Sequence, residues 1–537
     1  MISKLLVYLI LISFLIRTVR NILNQSFLWQ LKEYRLDRIV AHLKTTSGRK
    51  LIFGPITIIK WICLFTILVS FNFQYLFGDF STLAILIAYL FFYLIWIFEA
   101  IINLKELFTN GWKIPVFTFK SSFIVAVCLI FQFSSLLFVD KLTLLIIGPF
   151  LDKLLAPTLT LIVLLVKIPQ IIYIKWLVTV ARKKINSFTN LIVIGITGSY
   201  GKTSTKEFLS TLLSIKYKVV KTAGFNNTLI GVVQTIAKKL SGNTQVFVVE
   251  MGAYKKGEIK AIADLVKPKI GIITAISEQH IELFGSLENI MKTKYELIES
   301  LPVGNVAIFN GNNKDCLKMA KWAEANYKTL IYHDSINTKK IRVFKDHTDF
   351  TFIDKNFNLD VSVPLVGKQN IENLVASILA AKTLGMSNSQ IQQGLSKITS
   401  PSQTMRIIKR SPKITIVDDT FNANSVGVEA TLDYMKLYIG NKILILTPLI
   451  ELGEQGSEIH EKLGYKAASI CDIVALTNSN YKESFFKGAS KASLLESKVR
   501  IVSPQLAVDI INANTENDSI ALFEGKEAGK ILRKLTS

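Results

Sequence analysis

The run Thr197, Gly198, Ser199, Tyr200, Gly201, Lys202 and Thr203 holds residue types suited to binding a nucleotide. Two glycines let backbone N–H groups face an anion, a lysine can reach the outer phosphates, and a threonine hydroxyl can bind Mg²⁺. Residues 191–196 before it are rich in Ile and Val and read as a buried parallel strand, while 202–215 after it have helical periodicity. Strand, glycine turn and helix start together make a phosphate cradle to which the helix dipole adds. The general G-x4-G-K-S/T spacing is not met, because Ile196 stands at its first glycine. ATP is the expected ligand.

Further acidic and basic residues follow at strand ends. An expected strand at 245–249 runs into Glu250, and an acidic residue at the carboxyl end of a neighbouring parallel strand is well placed for Mg²⁺. A third strand, 269–276, leads to His280, one of five histidines, for which a structural and a metal or substrate role are both open on pattern alone. Lys294, with Lys292 as its competitor, reads by itself as a solvated helix charge. Asp418 and Asp419 close a strand at 414–417 and suit either a ligand contact or a helix N-cap.

The elements that must position these residues divide the 537-residue chain unevenly. Half of the residues are hydrophobic and mean hydropathy is +0.38, with the apolar excess concentrated in residues 1–190. Five spans are expected there, at 5–16, 58–77, 81–102, 122–139 and 142–166. The first is short, and Asp152 and Lys153 interrupt the last. The first could also be a signal peptide, but it lacks a small-residue cleavage site. Net charge is +23, and residues 1–190 carry 20 basic against 7 acidic side chains. The basic residues of 17–56, 103–121 and 182–184 all fall on one side of a five-span arrangement. The expected protein is therefore a multi-pass protein of the cytoplasmic membrane, with its N-terminus outside, its globular part in the cytoplasm and membrane lipids as partners. No basic, aromatic-interleaved stripe marks the globular part, so nucleic acid is not an expected partner. The four cysteines form no CxxC pair, which argues against a zinc site or a disulfide framework. The fold class expected is an α-helical membrane region, 1–185, followed by two α/β domains. The first, 190–398, is a P-loop-type parallel-sheet ATPase domain with a β-rich insertion at 341–364. The second, 399–537, is Rossmann-like, with strands near 414–418, 442–446, 472–476, 499–502 and 519–523.

Seven segments in order resemble the Mur ligases. They are TGSYGKTST at 197–205, NNTLIG at 226–231, VEMG at 249–252, HIELFGS at 280–286, KYE at 294–296, DDTFNAN at 418–424, and ELGE at 451–454 followed by His460. Within the family the chain is most similar to the members that join D-alanyl-D-alanine to UDP-N-acetylmuramoyl-tripeptide. The resemblance covers about 190–537 and implies an ADP-forming peptide ligase of peptidoglycan synthesis that activates a carboxylate as an acyl phosphate. It implies ATP contacts at 197–204, including Ser204, with Lys202 on the phosphates. It implies one Mg²⁺ on Thr203 and Glu250, a second beside His280, and CO₂ carbamylation of Lys294 to an anionic metal ligand. GKQNIEN at 367–373 resembles an adenine-side segment in which Asn370 and Asn373 match and Gln369 replaces a histidine. Arg406 matches an arginine that reaches the terminal phosphate, and Asp419 a residue near the ribose. Asn226, Asn227, Asn422 and Asn424 are expected on substrate.

The chain departs from the family in two places. Membrane spans occupy 1–190, where soluble members carry a domain for the UDP-sugar. In the C-terminal part Thr447-Pro448-Leu449, Ser425 and Glu524-Gly525-Lys526 replace the usual residues. Besides D-alanyl-D-alanine ligation to a muramoyl peptide, two readings therefore stay open. One is a Mur-like ligase for a lipid-linked or other cell-envelope acid with another amine. The other is a membrane scaffold with a nucleotide site. The helical region reads either as an anchor alone or as part of a lipid-linked substrate site.

Overall fold

The computed structural model describes residues 2–44, 46–109, 111–138, 141–224, 226–354, 357–421, 423–492 and 498–536. Two compact units result, Met1–Lys175 and Trp176–Ser537.

The first unit is helical, with α1 (Ile2–Leu31), α2 (Leu36–Lys44), α3 (Thr46–Phe53), α4 (Pro55–Asn72), α5 (Gln74–Phe108), α6 (Phe119–Phe138) and the first part of α7 (Lys141–Asn186). Among the described residues four helical stretches are long and apolar enough to cross a membrane: Leu5–Leu31, Gly48–Asn72, Gly78–Phe108 and Leu145–Asn186. The expected fourth span, 122–139, runs into residues outside the described ones, and its described part is the shorter apolar helix Phe119–Ser134; the first and fifth run well past their expected ends. Internal pairing accommodates the charges at Arg17 and Asp152 that interrupt the apolar runs. Arg17 binds Glu99 at 2.5 Å and Asp152 at 2.8 Å, and Lys60 binds the same two carboxylates at 2.6 and 3.4 Å. Charges that interrupt a hydropathy run thus satisfy one another between helices, as ionisable groups in apolar surroundings must. The expected basic loop 17–56 is likewise mostly helix, and Arg17 is a buried member of this quartet rather than a loop charge. Pro149 lies inside α7 and cannot donate to the carbonyl of Leu145. The Tyr93 hydroxyl donates to that carbonyl, and Tyr89 donates to the next at 2.9 Å.

The second unit alternates strand and helix. Its first half runs β1 (Ile192–Thr197), α8 (Lys202–Leu213), β2 (Val219–Lys221), α9 (Leu229–Lys239), β3 (Val246–Glu250), α10 (Glu258–Val266), β4 (Ile270–Ile273), α11 (Ile281–Phe284), α12 (Leu287–Glu299), β5 (Val306–Asn310), α13 (Lys314–Ala323) and β6 (Lys328–Tyr332). These strands form a parallel sheet in the order β2-β3-β1-β4-β5-β6. Then come α14 (Asp334–Asn337) and the antiparallel β7 (Thr338–Val343), β8 (Thr348–Asp354) and β9 (Phe357–Val363), which are the expected insertion, followed by α15 (Gln369–Thr383) and α16 (Asn388–Leu395). The second half runs β10 (Arg406–Arg410), β11 (Ile414–Asp419), α17 (Ser425–Met435), β12 (Lys442–Leu446), α18 (Gly456–Ala468), β13 (Ile473–Leu476), α19 (Lys482–Lys491), β14 (Val499–Ile501), α20 (Pro504–Ala513), β15 (Ser519–Glu524) and α21 (Lys526–Thr536). Its sheet order is β10-β11-β15-β12-β13-β14, with β10 an antiparallel edge strand that sequence pattern does not reveal.

The central sheet buries both faces, so its strands read as continuous apolar runs. Val193 of β1 enters the core on one face and Ile194 and Ile196 the core on the other. The strand lies at the switch point of the sheet, between β3 and β4, where parallel sheets bind ligands beyond their carboxyl ends. Gly195 on β1 and Gly271 on β4 let α12 approach closely. A Cβ at Gly195 would lie 2.5 Å from Leu297 Cδ1, and one at Gly271 2.8 Å from Ile298 Cδ1. That approach carries Lys294, one turn earlier on α12, to the end of β1.

Candidate active site

The 197–203 loop leaves β1 and enters α8 at Lys202, as its residue types require. Gly198 has φ +154° and Gly201 φ +79°, and neither site has room for a side chain: a Cβ would lie 2.1 Å from Thr274 Oγ1 or 2.5 Å from Asn373 Oδ1. Thr197 is tied to the carbonyl of Met251 at 2.8 Å, and the Ser199 hydroxyl accepts from Ser277 N at 3.0 Å. The Tyr200 carbonyl accepts from the Thr274 hydroxyl. Ser204 is buried in the first turn of α8. The loop is thus stitched to the ends of β3 and β4.

Charged groups converge on this loop. Lys202 Nζ donates to the carbonyls of Gly198 at 2.7 Å and Ser199 at 2.9 Å. Lys294 Nζ donates to the same Gly198 carbonyl at 2.9 Å. Burial, then the nearby Lys202 charge, hold the Lys294 ammonium well below the usual lysine range. Lys292 points outward and pairs with Glu288 at 2.7 Å, so the choice left open between the two lysines falls to Lys294 on position. Glu250, 1% exposed at the end of β3, accepts the Thr203 hydroxyl on both oxygens, at 3.1 and 3.0 Å.

Two further residues share Glu250. Asn227 Nδ2 donates to it at 3.0 Å, so this asparagine, expected on substrate, braces the carboxylate. Lys206 Nζ, fully buried, lies 3.2 Å from it. Lys206 was not singled out from the sequence, although its i,i+4 spacing from Lys202 puts both on one helix face.

His280 sits at φ +66° in the turn after β4. Burial lowers its pKa, opposed by its hydrogen bond to Glu451. That bond joins Nδ1 to Oε2 at 2.5 Å and crosses from the first α/β half to the second. In the sequence Glu451 is only the first residue of the ELGE segment, and nothing local marks it as a partner of His280.

The remaining expected site residues are dispersed. Asn373 Oδ1 accepts the Thr205 hydroxyl at 3.2 Å, and Asn370 donates to the Val366 carbonyl at 2.9 Å. Gln369 folds over Gly367 and its buried Oε1 has no partner among the described residues, an acceptor suited to an N–H of a ligand. Arg406 is exposed on the wall of a cleft of about 560 Å³ shared with Asp346, Val366 and Met405. Asp419 accepts from Met405 N at 3.3 Å. Burial pushes its carboxyl up to about 7, and burial with the Asp419 charge raises its neighbour on β15, Glu524, well above the usual carboxylate range. Asn226 is exposed, Asn424 caps α17 by accepting from Gly427 N at 3.0 Å, and Asn422 lies outside the described residues. Among the described residues no three His, Cys, Asp or Glu side chains converge on a point. A metal here would therefore need the threonine hydroxyl, a modified lysine or the nucleotide itself as ligands.

Residues 196–381 match the Mur ligase middle domain. The UDP-N-acetylmuramoyl-tripeptide--D-alanyl-D-alanine ligase of Buchnera aphidicola subsp. Baizongia pistaciae is 30% identical over 331 residues, which are 60% of this chain and 69% of that protein. The chain belongs to the Mur ligase family. The Bacillus subtilis ligase of the same name is 31% identical over 274 residues, 51% of this chain, and the match spans only 59% of that relative's length. Among solved structures, the MurF ligase of Thermotoga maritima in complex with ADP superposes with a TM-score of 0.60 at 25% identity, covering 68% of this chain and 82% of that one. Within this Mur ligase fold, the loop of Lys202, Glu250 at the end of β3 and Lys294 on α12 are the convergent charged set.

Proposed function

We propose that the chain is an ATP-dependent, ADP-forming peptide ligase of peptidoglycan precursor synthesis that joins D-alanyl-D-alanine to the carboxylate of a muramoyl peptide. The observation that carries this reading is the meeting of Lys202 and Lys294 on one loop carbonyl beside the Thr203–Glu250 pair. In the reaction a substrate carboxylate oxygen bonds to the γ-phosphorus of ATP and ADP leaves. The amine then bonds to the acyl carbon, phosphate leaves and the amine loses a proton. Both steps gather anionic oxygens, so the site needs cationic charge held in place before reaction. Lys202 supplies one such charge. Thr203 and Glu250 would hold one Mg²⁺ and His280 a second, where the ion would neutralise charge developing on the phosphoryl oxygens. A lysine adds CO₂ through its neutral nitrogen with loss of a proton, and burial shifts Lys294 toward that neutral form. Residues 190–398 and 399–537 would act as the two jaws, with Gln369, Asn370, Asn373, Arg406 and Asp419 on the nucleotide.

A second reading keeps the chemistry and changes the acid. Long apolar helices occupy residues before Trp176, which favours a lipid-linked muropeptide as acceptor. In either reading the nucleotide site faces the cytoplasm, where ATP is, and membrane lipids surround the helical unit. With α6 as a short additional crossing, the N-terminus lies on the opposite face.

The test is ADP release by the purified full chain. UDP-linked and lipid-linked muropeptides are compared, each with D-alanyl-D-alanine and with single amino acids. Turnover requiring both an acid and D-alanyl-D-alanine is expected, with Lys202→Ala losing at least about 100-fold. No ADP release with any pair would overturn the reading.

A further inference from the structure

Glu451 stands on the second α/β half, after β12, yet its side chain reaches the first half and ends on His280. Its backbone makes the same crossing, because the Glu451 carbonyl accepts from Glu282 N at 3.2 Å. Both residues hold φ near +65°, Glu451 at +63° and His280 at +66°, a conformation that non-glycine residues keep only where the surroundings demand it.

The loop that presents Glu451 is itself braced. His460 on α18 takes the N–H of Leu449 on Nε2 at 3.0 Å and donates from Nδ1 to the Gly456 carbonyl at 2.6 Å. Its ring stacks on Tyr481 at 4.3 Å and 13°. Leu449 lies two residues before Glu451, so the loop is pinned just before the carboxylate.

At His280 the consequence is chemical. A carboxylate can only accept, so the proton of a neutral imidazole is drawn to Nδ1, and the lone pair is left on Nε2. Among the described residues Nε2 has no hydrogen-bond partner. The edge of the Tyr254 ring, 4.9 Å away between centroids, limits how the imidazole can turn. Lys202 and Lys294 both bear on the charge of this ring, so His280 shares their electrostatic surroundings.

We propose that Glu451 is a positioning residue for the metal site: it fixes the His280 tautomer and orientation so that Nε2 can bind a divalent cation next to the nucleotide phosphates. This rests on His280 being a metal ligand, as in the proposed function. Because Glu451 comes from the second half of the unit, the cation site is complete only when that half is seated against the first. Seating and metal affinity are then coupled through one hydrogen bond.

The experiment uses the full chain in detergent with saturating ADP, and Mn²⁺ as the probe, read by electron paramagnetic resonance of the free ion. Glu451→Ala is expected to weaken nucleotide-linked Mn²⁺ binding by at least about tenfold, while Glu451→Gln, whose amide oxygen can still accept from Nδ1, recovers most of it. Fluorescent ADP binding in EDTA reports that the loop around Lys202 is intact in both variants. ¹⁵N-histidine labelling adds a readout that a merely structural role would not move, because only five histidines contribute. His280 is expected as the Nδ1–H tautomer in the wild type and in Glu451→Gln, and as a mixture in Glu451→Ala. Unchanged Mn²⁺ affinity in Glu451→Ala, or an unchanged His280 tautomer, would overturn the role of Glu451. No nucleotide-linked Mn²⁺ uptake by the wild type would overturn the metal reading itself, and this role with it.

Discussion

Lys294 is the residue whose burial most needs a reason. An amine in this position costs the fold free energy, because burial makes the folded chain hold the lysine's proton less tightly than the unfolded chain does. Below the usual lysine pKa the unfolded state then binds more protons, so stability rises with pH from the depressed folded pKa up to about 10.4. Lys294→Met is expected to raise thermal stability near pH 7 by about 1–3 kcal/mol, to flatten this pH dependence and to abolish activity. Calorimetry across pH, with ADP release alongside, checks it; a loss of stability would contradict it. The Asp419–Glu524 pair has the opposite sign. Its carboxyls are raised, so the folded state keeps a proton that the unfolded state loses, and stability falls as pH climbs from about 4 toward 7. Glu524→Gln keeps the acceptor for Thr431, whose hydroxyl lies 2.9 Å away, and can donate to Asp419. It is expected to stabilise the protein above pH 7 by about 1–3 kcal/mol and to shrink that fall, as read from unfolding midpoints at pH 5 and 8. Asp419 was visible in the sequence as the end of a strand. Its partner was not, since the pairing depends on the register of β11 against β15, about a hundred residues apart in the chain.

At the scale of elements, α12 connects packing to chemistry. Gly195→Ala would put a methyl group 2.5 Å from Leu297 Cδ1, and relieving that contact moves α12 and Lys294 with it. A loss of about 1–3 kcal/mol in stability is expected, together with a fall in ADP release larger than the fall in nucleotide affinity. Equal falls in both would place the effect in the loop instead. The sequence carried the strand, loop and helix of this site to within a residue or two, because apolar runs, glycines and the helix start act locally. It did not carry β10, whose exposed and charged residues lack the signature of a buried strand, nor the close approach at Gly195, a glycine that reads as part of an apolar run. In the helical unit the same limit appears with Arg17. A hydropathy scan ends α1 at that residue, while its pairing with Glu99 and Asp152 lets the helix continue. Arg17→Leu leaves two carboxylates with Lys60 alone and is expected to destabilise the helical unit by about 3–5 kcal/mol, measured by unfolding in detergent.

On the scale of the whole molecule, two units of different composition share one chain. The Trp176–Ser537 unit has the fold of Mur ligases and brings Lys202, Thr203, Glu250 and Lys294 together. The Met1–Lys175 unit has the apolar helices, which neither nucleotide chemistry nor the matched middle domain accounts for. A lipid-linked acid would give those helices a part in the reaction, and a UDP-linked acid would leave them as an anchor. Both cases share acyl-phosphate formation, which is the claim to test first. An acid substrate labelled with ¹⁸O in its carboxylate, incubated with ATP, D-alanyl-D-alanine and the full chain, reports it directly. The account predicts one ¹⁸O carried from the carboxylate into each phosphate released. Amide formation with unlabelled phosphate would contradict it.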